Sequence, residues 1–402
     1  VRHAFARIII RENAEAPFLR EIIAPVYAPT EPDVTRGVVQ LLPQLAALLA
    51  QREQLRPGTR NDLETIGQRY RAFLETHHLF EPNWELRGHV RIDHLAFRPI
   101  IVWPELLEDY TDYQRELEPL VEIMSLPTDG ADTALREYKT TYDEIAATFD
   151  AVEDELDAGT ELHELAITAA NLHDIRPWLE EAAAQRGIAV RFATGAPVAE
   201  QPGGALFSRI NEVLQTRFSV TAVASLLYDR SVPWRDPTMN AAIVRFGYQT
   251  HCYDIGQWRS AIAEVQRLPT EDQRTRYLQA VCGRFRTLQT DISAIGSAMD
   301  PSAMRAAVRR FLDHHIAVPG SGQWSDPSLE RSERVYETAL RELSAIVGLY
   351  ERGIPVIDPW RFFLSAIGER QYVPREIGGA LPIYPYRVAA GIPVRRHFVL
   401  GL

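Results

Sequence analysis

Between Leu165 and Phe192 the spacing of apolar residues changes twice. Leu165-Ala-Ile-Thr-Ala-Ala170 is a nearly unbroken apolar run. Asn171 to Arg186 repeats apolar positions at helical spacing, Gly187 stops it, and Ile188-Ala-Val-Arg-Phe192 is apolar again. Strand, helix, glycine stop and second strand predict a βαβ unit of a parallel sheet.

The flanking pattern is mostly helical. Residues 1–95 carry helical spacing over Val38–Leu55 and Asp62–His77, with Asp62 placed to be an N-cap, and loops at Pro17, Pro25, Pro29, Pro32 and Pro57-Gly58. Leu95–Val102 predicts a short strand closed by Pro104. Pro104–Met124 reads as a polar turn continuing into a helix, Leu126-Pro-Thr-Asp-Gly130 as a loop, and Leu135–Tyr138 as a strand. Tyr142–Leu156 reads as a helix with an acidic outer face. From about 205 to 369 the chain is helical, with breaks at Pro233, Pro237, Pro269, Pro301 and Pro319-Gly320. Strand patterns return at Leu381–Val388 and Val394–Leu400. A sheet interrupted by a domain-sized helical segment and then resumed predicts a lobe with an inserted helical subdomain.

Composition narrows the class. At 402 residues, with 46% hydrophobic and 24% charged, two to four globular units are expected. No apolar run is long enough to cross a bilayer, and Cys252 and Cys282 form no disulfide framework or zinc pattern, so a cytoplasmic location is expected. Of 43 basic residues the one lysine is Lys139, so a Gly-Lys-Ser/Thr phosphate loop has no place in these residues. The net charge of -11 is uneven: Glu105–Glu164 holds 19 acidic residues against three basic ones. The last residues carry Arg370, Arg375, Arg387, Arg395 and Arg396, a locally basic stretch able to hold a phosphate backbone. Neither Val1 nor Leu402 reads as a natural chain end, and a longer polypeptide is expected.

Four short motifs carry chemistry. Ile100-Ile-Val-Trp-Pro-Glu-Leu-Leu-Glu-Asp-Tyr110 is an apolar strand ending in acids, the place where motors hold magnesium. Arg136-Glu-Tyr-Lys139 leads into Thr141-Tyr-Asp-Glu-Ile145. Within it, Glu137-Tyr138-Lys139 with Asp129 or Asp132 upstream has the residue types of a two-carboxylate, one-lysine nuclease, but with no second strand to share a metal. Leu165–Ala170 is the third. Tyr384-Pro-Tyr-Arg-Val-Ala-Ala-Gly391, running on to Leu402, is the fourth. Tyr70 to Leu74 followed by Phe80-Glu-Pro-Asn-Trp84 is a further marker. The pairs His77-His78 and His314-His315 point about 100° apart on a helix, which argues against their chelating one metal.

In order and spacing these motifs resemble superfamily 1 DNA helicases, and most closely the helicase-like half of bacterial AddB-type helicase–nuclease subunits, over about Tyr70 to Leu402. The resemblance implies an α/β fold with large all-α insertions and RecA-like parallel-sheet lobes. Residues 1–95 would be a helical insertion of the first lobe, and 96–125 the end of that lobe. Residues 126–204 plus 371–402 would be the second lobe, with 205–370 its helical insertion. On this pattern Pro104 stands where a magnesium-binding Asp belongs, Glu105 keeps the catalytic carboxylate position, Leu107 replaces Gln and Glu108 replaces the last Asp. Ala170 occupies the place of a nucleotide-contacting Arg. Ala389 and Gly391 match the fourth motif, while Pro385, Arg387, Ala390 and Pro393 replace its Thr, His, Lys and Glu.

The motor positions Pro104, Glu105, Glu108, Ala170, Ala390 and Gly391 are therefore degenerate, and no catalytic residue, metal or cofactor is expected. The resemblance implies a non-motor DNA-binding scaffold of a double-strand-break repair complex. DNA, single-stranded or as a duplex end, and an AddA-like motor subunit would be its partners, with no membrane. Trp84 is a candidate for base stacking and equally for a loop anchor. Tyr386, Arg387, Arg395 and Arg396 are candidate nucleic-acid contacts and equally solvated strand ends. The alternatives are a PD-(D/E)XK nuclease subunit with its catalytic domain beyond Leu402, and a protein-interaction scaffold without DNA contact.

Overall fold

The computed structural model describes residues 1–27, 32–85, 100–101, 121–124, 134–270, 272–317, 327–373, 379–386, 392 and 394–401. They divide into two compact units: Val1–Asn83 with Ala196–Tyr372, and Trp84–Gly195 with Val373–Leu402.

The first unit is helical. Its N-terminal part holds α1 (Arg2–Glu15), α2 (Pro32–Ala50) and α3 (Pro57–Thr76), followed by the short α4 (Pro82–Glu85) at the unit's edge. Asp62 does not cap α3, which begins five residues earlier at Pro57. It lies inside the helix, buried, and its Oδ2 accepts from the backbone N–H groups of Arg20, Glu21 and Ile22 at 3.0, 2.8 and 3.0 Å. Proline at the first turn started the helix, leaving the aspartate to satisfy a neighbouring loop. α1 is also fixed to the far end of the unit: the buried Arg7 guanidinium donates to the carbonyls of Ile357 and Arg361 and to Ser365 Oγ. The N-terminal helices thus share a compact unit with 196–372, while the resemblance would make them an insertion of the lobe that ends at 96–125.

The second part of this unit enters and leaves through an antiparallel pair, β5 (Ala196–Pro197) with β6 (Gln371–Tyr372). Between them run α7 (Ala205–Gln215), α8 (Val220–Leu227), α9 (Pro237–Gln249), α10 (Ile255–Arg267), α11 (Gln273–Gly296), α12 (Pro301–His315), α13 (Pro327–Glu351) and α14 (Pro359–Glu369). The starts are written locally. Ser219, Asp236, Asp254, Asp272, Asp300 and Asp358 each accept a backbone N–H of the first turn. The helices bury one continuous core including Phe207, Trp258, Phe285, Phe311 and Phe363. Trp258 stacks on Phe285 with centroids 3.8 Å apart and donates from Nε1 to the Phe218 carbonyl at 2.8 Å. Gly247 is required beneath it, because a Cβ there would fall 2.6 Å from the indole.

The second unit is built on a parallel four-stranded sheet in the order β4-β7-β3-β8: β3 (Leu165–Ala169), β4 (Val190–Phe192), β7 (Leu381–Pro385) and β8 (Arg396–Leu400). α5 (Thr141–Asp157) and α6 (Leu172–Gln185) supply the apolar cover, with Ile145, Phe149, Val152 and Leu179 packed against Leu165, Ile167, Leu381 and Ile383. The β3–α6–β4 crossover is the βαβ unit of the sequence pattern. It stops at Gly187, where φ is +67° and the following N–H of Ile188 returns to the Ala183 carbonyl. Prolines are unusual in an inner strand, yet β7 holds two. Leu381 and Ile383 make the bonds to the β4 side, while Pro382 precedes the first pair with β3 and Pro385 forms the last. The missing N–H groups therefore fall outside the bonded stretches, that of Pro382 toward β3 before its first pair and that of Pro385 toward β4 beyond its last.

Two local expectations fail. Glu122–Ile123 is not the end of a helix but strand β2, paired in parallel with β1 (Ile100–Ile101). Leu135–Tyr138 forms no strand; it is coil, with Leu135 84% exposed. Leu-Arg-Glu-Tyr lacks the period-2 alternation of a half-buried strand, and among the described residues no strand pairs with it. No described helix is long and apolar enough to cross a membrane.

Candidate functional site

In an open parallel sheet, ligands are held outside the carboxyl ends of the strands. Here that edge joins Ala170, exposed just after β3, Tyr386, 55% exposed just after β7, and Gly401 just after β8. The register fixes their proximity, since Ala169 pairs with both Pro385 and Leu400. The N-terminus of α6 opens on the same edge at Asn171, whose side chain makes no capping bond. Gly401 N–H donates to Glu144 Oε1 at 3.0 Å. A methyl at position 170 offers nothing to grip a phosphate. Arg176, on α6, donates to the Gly195 carbonyl at 2.6 Å and to Glu180 at 2.8 Å, and lies over the Phe192 ring at 4.4 Å. Its guanidinium is used to tie the helix to the loop after β4.

The other proposed contacts lie at the opposite edge. Arg396 pairs with Leu165 at the start of β3, about 13 Å along the strand from Ala169. Its Nε donates to Glu155 Oε1 at 2.7 Å, and that guanidinium, with Thr160, holds the Glu155 carboxyl below its ordinary range. Arg395 gives its backbone N–H to the Glu164 carbonyl at 2.7 Å, and its side chain is exposed. Tyr386 and the arginine pair therefore do not form one surface. His397 bonds Thr168 Oγ1 at 3.0 Å, and burial pushes its pKa down. Pro104, Glu105, Glu108, Arg387, Ala390 and Gly391 lie outside the described residues, as do Asp129 and Asp132. Glu137 and Lys139 are exposed in coil.

The Tyr70 and Phe80–Trp84 marker forms a latch. Tyr70 OH and Arg2 Nε both donate to the buried Glu81 Oε2 at 2.9 Å. Burial and this carboxylate raise the Tyr70 pKa. Trp84 is half-buried on α4.

A polar cluster that the sequence pattern did not reveal joins α11 to α12. Asp291 Oδ2 meets His314 Nδ1 at 2.7 Å and His315 Nε2 at 3.0 Å, while Arg310 Nε donates to its Oδ1 at 3.1 Å. Asp291 and His315 are almost fully buried. The adjacent imidazoles do diverge, but they use different ring nitrogens, and the carboxylate stands between the two directions. The divergence argument against their convergence therefore fails. Their ligand atoms lie within 4.8 Å of one another, and two imidazoles with a carboxylate suit a transition metal. Two guanidiniums oppose a cation there: Arg310 on the carboxylate, and Arg284, which donates to the His314 carbonyl at 2.8 Å. Burial, with Arg284 adding to it, lowers His315 to about 4, so the ring is neutral at pH 7. The cluster is complete as a hydrogen-bond network.

Comparisons with known proteins match the inserted helical segment and, at the N-terminus, a stretch that crosses the boundary between the two units. The model of the Treponema TP0900 N-terminal P-loop domain matches residues 1–127, and that of the Treponema TP0900 fourth helical domain matches residues 199–373. The stretch 1–127 contains no lysine, so the lysine of a phosphate loop is not within it. An uncharacterized protein of Treponema pallidum (strain Nichols) is 24% identical over 459 residues, covering the whole of this chain. The chain spans 57% of that relative's length. The chain is thus similar, at both its N-terminal and its inserted helical part, to a P-loop-bearing, multi-domain Treponema protein.

Proposed function

We propose that the chain is a helicase-like, non-motor scaffold that binds DNA within a double-strand-break repair helicase–nuclease, beside an AddA-like motor subunit. One observation carries this reading. A parallel sheet with the order β4-β7-β3-β8 is split in sequence by a helical domain entering after β4 and leaving before β7, and its ligand edge presents Ala170 in place of a cation. Sheet and insertion support a translocase architecture; the alanine supports the loss of nucleotide grip. The likeness of 1–127 to a P-loop domain, without a lysine in those residues, supports both.

The test pairs two assays on the chain. Fluorescence anisotropy with labelled single-stranded and duplex oligonucleotides should give binding that weakens as salt rises, by the release of counterions from neutralised phosphates. DNA-stimulated ATP hydrolysis should stay at the level of a protein-free control. Hydrolysis above that control, or no binding to either oligonucleotide at low salt, overturns the reading.

A further inference from the structure

We infer that the α11–α12 hairpin is the nucleic-acid face of the helical unit, with Arg276, Arg286, Arg305 and Arg309 on phosphates and Tyr277 against a base. This deepens the DNA-binding reading and rests on it, and it places the contact away from Arg387, Arg395 and Arg396.

Residues 273–315 hold seven arginines and three aspartates, with no glutamate or lysine. Asp291 is buried and already paired, and Asp300 caps α12, so Asp313 is the one acid of the three that stands exposed without a fixed task. Arg274, Arg276, Arg286, Arg305 and Arg309 are exposed, and their side chains have no partner among the described residues. Other arginines, such as Arg69 with Glu12 and Arg186 with Asp150, are held by acids of their own unit. Five guanidiniums along two adjoining helices are thus left for an external polyanion to neutralise.

Shape favours a nucleic acid over an acidic protein. Arg305 and Arg309 stand one turn apart, a rise of about 6 Å, on one face of α12. On α11, Arg276, Ala280 and Gly283 follow at helical spacing, and Thr287 and Thr290 continue that stripe. The space beyond Gly283 is open, with no atom within 4 Å of where a Cβ would lie, so a ligand backbone can come close to the helix. Tyr277, 50% exposed, sits beside this stripe as a stacking platform. No exposed position of either helix carries a large aliphatic side chain, and Met299, 88% exposed, stands in the turn between them, whereas protein interfaces centre on clusters of apolar anchors.

The test is the salt dependence of binding to labelled single-stranded and duplex oligonucleotides. The wild-type chain is compared with Arg276→Glu/Arg286→Glu/Arg305→Glu/Arg309→Glu, with the same four changed to Gln, and with Arg395→Glu/Arg396→Glu. Circular dichroism melts establish that each variant folds. The four-site variants should weaken binding roughly 100-fold or more at low salt and flatten the log K against log salt slope by about 3, near 0.7 to 0.9 per phosphate lost. Tyr277→Ala should weaken the single strand more than the duplex, and the reverse preference assigns the face to duplex phosphates. If wild type binds and the four-site variants keep its slope, or if Arg395→Glu/Arg396→Glu alone flattens it, this placement falls while the DNA reading stands. If wild type binds neither oligonucleotide, the DNA reading itself has failed.

Discussion

The sheet unit and the α11–α12 hairpin use the same residue type in opposite ways. Around the sheet three arginines are committed, Arg176 to Gly195 and Glu180, Arg186 to Asp150 and Glu153, Arg396 to Glu155, while Arg395 is exposed. On the hairpin Arg310 and Arg284 are committed, and five others face solvent with no partner among the described residues. Charge totals hide this. The chain is acidic overall at -11, and its C-terminal arginines look basic on paper, yet two of them are already paired, Arg370 with Glu342 and Arg396 with Glu155. What a cation can bind depends on what already holds it.

The comparison can be broken from its committed side first. Asp291→Ala should destabilise the helical unit by about 3–5 kcal/mol, because it strands buried partners rather than removing a surface pair; urea melts check this. A loss below about 1 kcal/mol would mean that the network is not holding the hairpin. The pH dependence follows from His315. Its folded-state pKa of about 4 lies below the ordinary 6.5, so the unfolded chain takes up the proton first as pH falls. The neutral ring's contribution is complete above pH 6.5 and declines toward pH 4, by about 3 kcal/mol at most. Burial pushes His3 and His397 in the same direction. Stability measured by urea at several pH values should fall across that window, and His315→Gln should flatten the fall.

Asp62→Ala should cost about 2 kcal/mol, since three backbone N–H groups lose their acceptor. Asp62→Asn should retain part of this, because its amide oxygen still accepts. Arg396→Gln should have the smallest effect. Its side chain is itself more than half exposed to water, so the melting midpoint should stay within error and oligonucleotide binding should match wild type. A large drop in binding would return Arg396 to the interface.

Much of the fold was legible because its signals are local. The βαβ unit was marked by a strand-length apolar run, a helical repeat and Gly187, and the helical insertion by its helical spacing and proline breaks. Asp62 misled because an acid ahead of a helical repeat looks like a cap whether or not Pro57 has already started the helix. Leu135–Tyr138 misled because strand formation depends on a partner that the pattern does not contain. The candidate site was less legible. Arg387, Arg395 and Arg396 were grouped by nearness in sequence, but Arg396 is committed at the far edge of the sheet. The Asp291 cluster joins residues 23 and 24 positions apart, which no motif spacing flags. The arginines of α11 and α12 were visible helix by helix, as at Arg305 and Arg309, but disappeared into the acidic whole-chain total.

The central claim concerns which arginines are available to DNA, and it can be read residue by residue. Arginine-selective glyoxal labelling, located by mass spectrometry with and without a bound oligonucleotide, reports it directly. The account predicts strong labelling of Arg276, Arg286, Arg305 and Arg309 in the free chain and protection of all four by DNA, with Arg176 and Arg186 little changed. Protection confined to Arg387 and Arg395, with α11 and α12 labelled equally in both states, would contradict it.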